Sequence, residues 1–134
     1  MRYSLITVFI KHTEEFQVRK KIINISSGSA VYPVPDMSVY CSAKAGLNMF
    51  TQCVGQEQAN RTSPVEIVAI DPGMVDTELQ KSAREQDPLT FAMAGPFNEA
   101  YTSGQLKSTE YVAKQIKLII EKEYEAGVML TSIS

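Results

Sequence analysis

The chain has 134 residues, 44% of them hydrophobic and 21% charged, which is ordinary for one globular domain. A formal net charge of -2 and a pI near 5.4 exclude the basic surface that nucleic acid backbones require. No apolar run reaches the ~18 residues of a membrane span. The opening MRYSLITVFI also lacks the charged region and cleavage site of a signal peptide, so a cytoplasmic protein without membrane partners is expected.

In chain order, residues 3–10, YSLITVFI, form a short apolar run that reads as a buried strand, and KHTEEFQVRKK after it is a charged connector. KIINIS, residues 21–26, is isoleucine-rich and runs into Ser26-Ser27-Gly28, a buried strand followed by a turn. Pro33 and Pro35 then precede a helical period over 38–59, in which Ala43, Leu47, Phe50 and Val54 share one face. Cys41 and Cys53 lie in that helix roughly 18 Å apart at the helical rise, beyond disulfide reach, and read as reduced core thiols.

The cluster Asn60-Arg61-Thr62-Ser63-Pro64 breaks the helix, and VEIVAI, residues 65–70, is a second buried strand that stops at Asp71-Pro72-Gly73. Residues 78–106 carry scattered Pro88, Gly95, Pro96 and Gly104 and read as a mobile excursion with one or two short helices, the kind of segment that serves as a lid. A helix over 109–123 with Val112, Ile116, Ile119 and Ile120 inward precedes a last strand in GVMLTSI. This alternation is the order of a parallel α/β fold. His12 has no companion ligands and reads as a surface residue, so no metal site is expected. Glu121, Lys122, Glu123 and Glu125 form a solvated helix end.

Tyr40 and Lys44 stand four apart on the long helix, one turn from each other on one face. Ser27 lies just past the preceding strand, and in parallel sheets the carboxyl ends of the strands line the ligand crevice. Carbonyl reduction suits such a trio. The developing alkoxide needs a proton donor and a second hydrogen bond, and an ammonium beside a phenol favours its ionised form, easing proton transfer in either direction. Each motif alone is commonplace: Tyr-x-x-x-Lys arises by chance in many helices, and Pro-Gly after a strand is usually only a stop.

Taken together, Asn24-Ile25-Ser26-Ser27, Tyr40-Cys41-Ser42-Ala43-Lys44-Ala45 and Asp71-Pro72-Gly73-Met74-Val75-Asp76-Thr77 resemble the short-chain dehydrogenase/reductase family at three matched places. The similarity runs from about residue 21 to the C-terminus, and YCSAKAGLNMFTQCV and PGMVDTELQ resemble most the benzil reductase and sepiapterin-reductase-like branch. That resemblance implies a Rossmann-type doubly wound parallel sheet and NAD(P)-dependent oxidoreduction of carbonyls or dicarbonyls, with NADP(H) favoured over NAD(H). It implies Ser27 as the serine that orients substrate, Tyr40 as acid/base, and Lys44 as the lysine that binds the ribose and eases the tyrosine's ionisation. Pro72, Gly73, Val75 and Thr77 match the segment that holds the nicotinamide end and the pyrophosphate. Residues 78–106 match the substrate lid, and a homodimer or homotetramer is the implied assembly.

The family's Thr-Gly-x-x-x-Gly-x-Gly turn, which brings backbone amides to the pyrophosphate, is absent, as are the Asn-Asn-Ala-Gly segment and the helix asparagine. Met1 to Thr7 look like the family's first strand, whereas Val8 to Thr13 resemble the end of a much later helix. A junction between Thr7 and Val8 with roughly half the fold missing is therefore expected, leaving a single truncated domain over residues 1–134 with exposed apolar edges. Two functions stay open: a reductase, or a non-catalytic product acting as an interaction or oligomerisation module. An epimerase or dehydratase relative is a weaker third, because those enzymes carry a larger C-terminal substrate domain.

Overall fold

The most continuously apolar stretch of the sequence becomes the middle of a three-stranded sheet. In the computed structural model, which describes residues 4–130, the elements are α1 (Leu5–His12), β1 (Lys21–Ile25), α2 (Ser38–Ala59), β2 (Glu66–Ile70), α3 (Glu78–Arg84), α4 (Ala94–Thr102), α5 (Thr109–Glu121) and β3 (Val128–Leu130). The strand order is β1-β2-β3, all parallel, with Lys21 opposite Glu66, Ile25 opposite Ile70, and Val68 opposite Val128. Parallel strands need crossovers of a dozen residues or more, and α2 and α5 fill them.

β2 has partners on both edges, and Ile67, Val68, Ala69 and Ile70 are fully buried. The isoleucine and valine side chains among them each contribute about 1.5–3 kcal/mol of hydrophobic stabilisation. Val68 and Ile70 pack with Val112 and Ile119 of α5, and Ile23, Val75, Ile116, Tyr124 and Val128 surround them. By strand alternation Ile67 and Ala69 face the other side, where α2 lies against β2 and β3. Helices thus cover both faces, the doubly wound arrangement.

α2 and the strand-entry loop approach to backbone contact. Gly55 is buried, and a Cβ built there would lie 2.4 Å from the Gly127 nitrogen. Gly127 itself has φ +84 and donates its N–H to Ile67 O at 2.7 Å. A charged network closes the same, amino-terminal end of the sheet. Glu66 pairs with Lys21 at 3.1 Å and Arg19 at 3.2 Å and accepts the Tyr124 N–H at 2.7 Å. Lys21 also donates to Ile119 O, and Arg19 to Glu121 O, so two cations occupy the orphan carbonyls at the C-terminus of α5.

Several sequence expectations change here. From Ser4 onward the predicted first strand is a helix: Ser4 accepts the Thr7 N–H at 3.2 Å and caps a helix that runs through Thr7 and Val8 to His12, residue 3 lying outside the described range. Without a partner strand the β-branched run closes its own hydrogen bonds, as in Val8 N to Ser4 O at 3.0 Å. The buried stripe of α2 is Thr51, Val54, Gly55 and Gln58, while Ala43 and Phe50 are exposed, because the sheet meets the helix on the flank carrying its glycine. Cys41 and Cys53 are both free thiols, but Cys53 is exposed and not in the core. Ile120 also faces outward, 51% exposed, since Val112, Ile116 and Ile119 already fill the stripe that meets β2.

His12 lies on the surface as expected, and no metal-holding cluster occurs among the described residues. Two short helices do form within the 78–106 excursion, joined by Gln80 Nε2 to Phe97 O at 2.9 Å and by the Arg84 guanidinium 3.7 Å over the Tyr101 ring. Asp36, at φ 64, ties that excursion to the loop before α2 by accepting the Ala92 N–H at 3.0 Å. The predicted last strand is present as Val128–Leu130, and its remaining residues lie outside the described range. None of the helices among the described residues is long and apolar enough to cross a membrane.

Candidate active site

Because β1 and β2 are parallel and in register, their carboxyl ends, Ile25 and Ile70, fall side by side. The ladder continues one step further, Ser26 donating its N–H to Ile70 O at 2.7 Å. Ser26 is buried and its hydroxyl bonds Asn48 of α2. Ser27, next along, is half-buried and turns into a short 3-10 segment, Gly28–Ala30, that packs against α2. Its Oγ accepts the Ser29 N–H at 3.2 Å, which leaves the hydroxyl hydrogen to donate elsewhere.

Tyr40 and Lys44 occupy the first turns of α2 beside this loop. Lys44 Nζ donates to Ile25 O at 2.7 Å, the last carbonyl of β1, and stands 5.6 Å from the centroid of the Tyr40 ring. A cation at that distance from an aromatic face is held by the ring quadrupole. Ser27, Tyr40 and Lys44 are therefore brought to one end of the sheet by one strand terminus and one helix start.

The end of β2 forms the facing wall. Asp71 Oδ1 accepts the Gly73 N–H at 2.9 Å, closing an Asx turn around Pro72, and Gly73 adopts φ +75, which only glycine takes without strain. Asp71 Oδ2 lies against the Ser27 side of the cleft, 3.3 Å from where a Cβ on Gly28 would stand. Val75 is half-buried against the core cluster, and Thr77 caps α3 by accepting the Gln80 N–H at 3.3 Å. Pro72, Gly73, Val75 and Thr77 thus line one continuous loop beside the Ser27 turn. The spacing rules did not single out Asn48 or Lys107, which touch these loops from elsewhere in the chain. Asp71 was legible, since Asp-Pro-Gly is turn chemistry.

A cavity of about 580 Å³ lies away from this site. It lies between α1 and α2 and is lined by Ile10, Phe50, Cys53 and Lys20 among others. Lys20 is buried there, with Nζ donating to Thr13 O at 3.1 Å and Ser63 O at 2.9 Å, so it pins two loops together.

Comparison with known proteins bears on the family and the fold. The short chain dehydrogenase family model matches residues 5–88, so the similarity begins in α1, well before Lys21. A benzil reductase ((S)-benzoin forming) of Bacillus cereus is 45% identical over 119 residues, 89% of this chain and 48% of that protein. Its counterpart in Bacillus subtilis (strain 168) is 35% identical over 120 residues, 90% of this chain and 49% of that protein. The chain spans about half the length of the curated relatives it matches. Among solved structures the KRED1-Pglu enzyme superposes with a TM-score of 0.79 at 23% identity, covering 94% of this chain and 55% of that one, a likeness of fold. With its parallel sheet, its strand-end loops and a family match over most of its length, the chain belongs to the short-chain dehydrogenase family.

Proposed function

We propose that the protein carrying this chain is an NADP(H)-dependent carbonyl reductase acting on ketones or dicarbonyls of the benzil type. The observation that carries the reading is the Lys44 ammonium, fixed on Ile25 O at 2.7 Å and standing over the Tyr40 ring beside the Ser27 turn. Proton donor, cation and second hydroxyl would then act together at the carboxyl end of β1. The residues present also fit the nicotinamide half of a dinucleotide: Lys44 and Tyr40 would meet the ribose, and Pro72, Gly73, Val75 and Thr77 the carboxamide and pyrophosphate. Gly73 at φ +75 lets the chain take the tight turn that carries Pro72 toward Val75. NADP(H) is the cofactor we propose over NAD(H); solved structures of like fold hold NADPH in one case and NAD in another.

When bound, the cofactor supplies the hydride. Ser27 donates its hydroxyl hydrogen to the substrate oxygen and holds the carbonyl against the cleft wall. Tyr40 transfers its phenolic proton to that oxygen as negative charge builds there, and Lys44 stabilises the phenolate left behind. In the oxidative direction Tyr40 takes the proton back. Excluding water from this exchange would fall to α3 and α4, which form the proposed lid over residues 78–106.

The test is to purify the natural protein at its full cellular mass and follow NADPH absorbance with benzil and a panel of ketones. Substrate-dependent oxidation is expected, and its absence together with no NADPH fluorescence change on binding would overturn the reading. A second reading, an interaction module, is favoured by the unpaired outer edge of β1 among the described residues and by Leu5, Val8 and Phe9, exposed by 85%, 39% and 38%. Its mark would be stable association without cofactor binding. A homodimer or homotetramer, in the cytoplasm, is the assembly we propose for the reductase.

A further inference from the structure

Lys107 lies thirty residues beyond the cofactor motif, in the link between α4 and α5, yet it touches that motif along its length. Its N–H donates to Met74 O at 2.9 Å, its carbonyl accepts the Asp76 N–H at 2.9 Å, and Val75 is its bridge partner. The side chain then folds back along the same loop. Nζ reaches Pro72 O at 3.4 Å and lies 3.2 Å from where a Cβ on Gly73 would stand. One half-buried residue therefore contacts positions 72, 73, 74, 75 and 76, two of them through its ammonium arm.

The two halves of this clasp differ in what they can do. Backbone pairing with Met74 and Asp76 survives any substitution that keeps an N–H, so it fixes the loop whatever the side chain. The ammonium acts on Pro72 and Gly73, where no backbone pairing reaches. From the other side Asp71 Oδ1 holds the Gly73 N–H at 2.9 Å. The Pro72–Gly73 turn is gripped by a carboxylate on one flank and an ammonium on the other. A turn with a positive-φ glycine has few restraints of its own and gains most from such an arm.

We infer that Lys107 is a positioning residue for the cofactor loop: its ammonium holds the Pro72–Gly73 turn in the conformation that receives the nicotinamide end of the dinucleotide. The inference rests on the proposed reductase reading. It differs from the roles of Tyr40, Lys44 and Ser27, since Lys107 meets neither the reacting oxygen nor its proton. It also means that the link leaving the 78–106 excursion is fastened to the cofactor loop, so movement of the one is felt by the other.

The experiment compares the natural full-length protein with Lys107→Met and Lys107→Arg. NADPH dissociation constants are measured by cofactor fluorescence, together with unfolding midpoints without cofactor and kcat and KM for NADPH. The ammonium's contact with Pro72 O is long at 3.4 Å, so its loss is set at that of an ordinary hydrogen bond, a weakening of about three- to tenfold. Lys107→Met is expected to raise the dissociation constant and the KM for NADPH by that factor, with kcat at saturating NADPH within about twofold of wild type. Its cofactor-free midpoint should match wild type, and Lys107→Arg should recover most of the affinity. Unchanged NADPH affinity in Lys107→Met overturns the inference. So does a loss of affinity that tracks a fallen midpoint and is not rescued by arginine, because a purely structural residue would behave that way. Failure of the wild-type protein to bind NADPH would instead overturn the reductase reading, a separate outcome.

Discussion

Two glycines of α2 have the same helix propensity and opposite predicted responses to alanine. Replacing a mid-helix glycine by alanine gains about 1 kcal/mol from backbone entropy. At Gly46 nothing lies within 4 Å of the added Cβ, so Gly46→Ala should keep that gain. At Gly55 the Cβ would lie 2.4 Å from Gly127 N, 2.5 Å from Gly127 Cα and 2.7 Å from Ala126 C. All three are backbone atoms, so no rotamer change relieves the contact. Retreat of the loop would stretch the 2.7 Å bond from Gly127 N to Ile67 O, and Gly127 at φ +84 has little freedom to move elsewhere. Overpacking costs roughly 1–3 kcal/mol, and a weakened buried hydrogen bond about 1 kcal/mol more. Set against the propensity gain, Gly55→Ala should lose about 2 kcal/mol, or about 8 °C in midpoint for a chain of this size. Urea and thermal unfolding of both variants beside wild type measure this. A Gly55→Ala protein as stable as wild type, or more so, would refute the close approach of α2 to the β3 entry loop.

Glu66→Ala should cost about 2 kcal/mol, since it leaves Lys21, whose side chain is 8% exposed, without its carboxylate and the Tyr124 N–H without its acceptor. Glu66→Gln should recover part of that loss, and urea unfolding at low and high salt should show little screening. Tyr40→Phe in the full-length natural protein should abolish most turnover while leaving NADPH affinity within about twofold, because only the proton donor is removed. Retained turnover would move the acid/base role to another group. Lys44→Ala should weaken both NADPH binding and kcat, since it removes the ammonium over Tyr40 and frees Ile25 O. Unchanged affinity, read by fluorescence titration, would count against the ribose role.

How much of this was legible depended on whether a residue's partner lay nearby in sequence. β1, α2, β2 and α5 announce themselves because a run of isoleucines or a 3.6-residue period is set within one segment. Residues 3–10 misled for the same reason. Leu-Ile-Thr-Val-Phe-Ile has strand propensity, but a strand needs a neighbour, and the Ser4 cap with self-contained i to i-4 bonding won instead. The inward face of α2 misled as well. Apolar spacing pointed to Ala43 and Phe50, whereas the sheet meets the flank where Gly55 permits backbone contact, and a glycine leaves no mark on a hydrophobic period. Lys107 could not be seen at all, because its contacts with 72–76 exist only once α3 and α4 have brought the chain back.

Tyr40, Lys44 and Ser27 were legible only through their joint spacing, and the structure gives a physical reason for that. The carbonyl that anchors Lys44 belongs to Ile25, which sits opposite Ile70 in the β1–β2 register. A slip of one residue would turn Ile25's neighbours to the other face and remove that acceptor from Lys44. It would also displace the Ser26 N–H from Ile70 O, which sets where Ser27 begins its turn. Position of the lysine, position of the serine and proximity of the Asp71–Thr77 loop all hang on one pairing register. That register is held in turn by the buried Ile67, Val68, Ala69 and Ile70 of β2. The distances along the chain between the three motifs are therefore lengths of strand and helix needed to return to the same sheet end, which is why the set carries information that no single motif does.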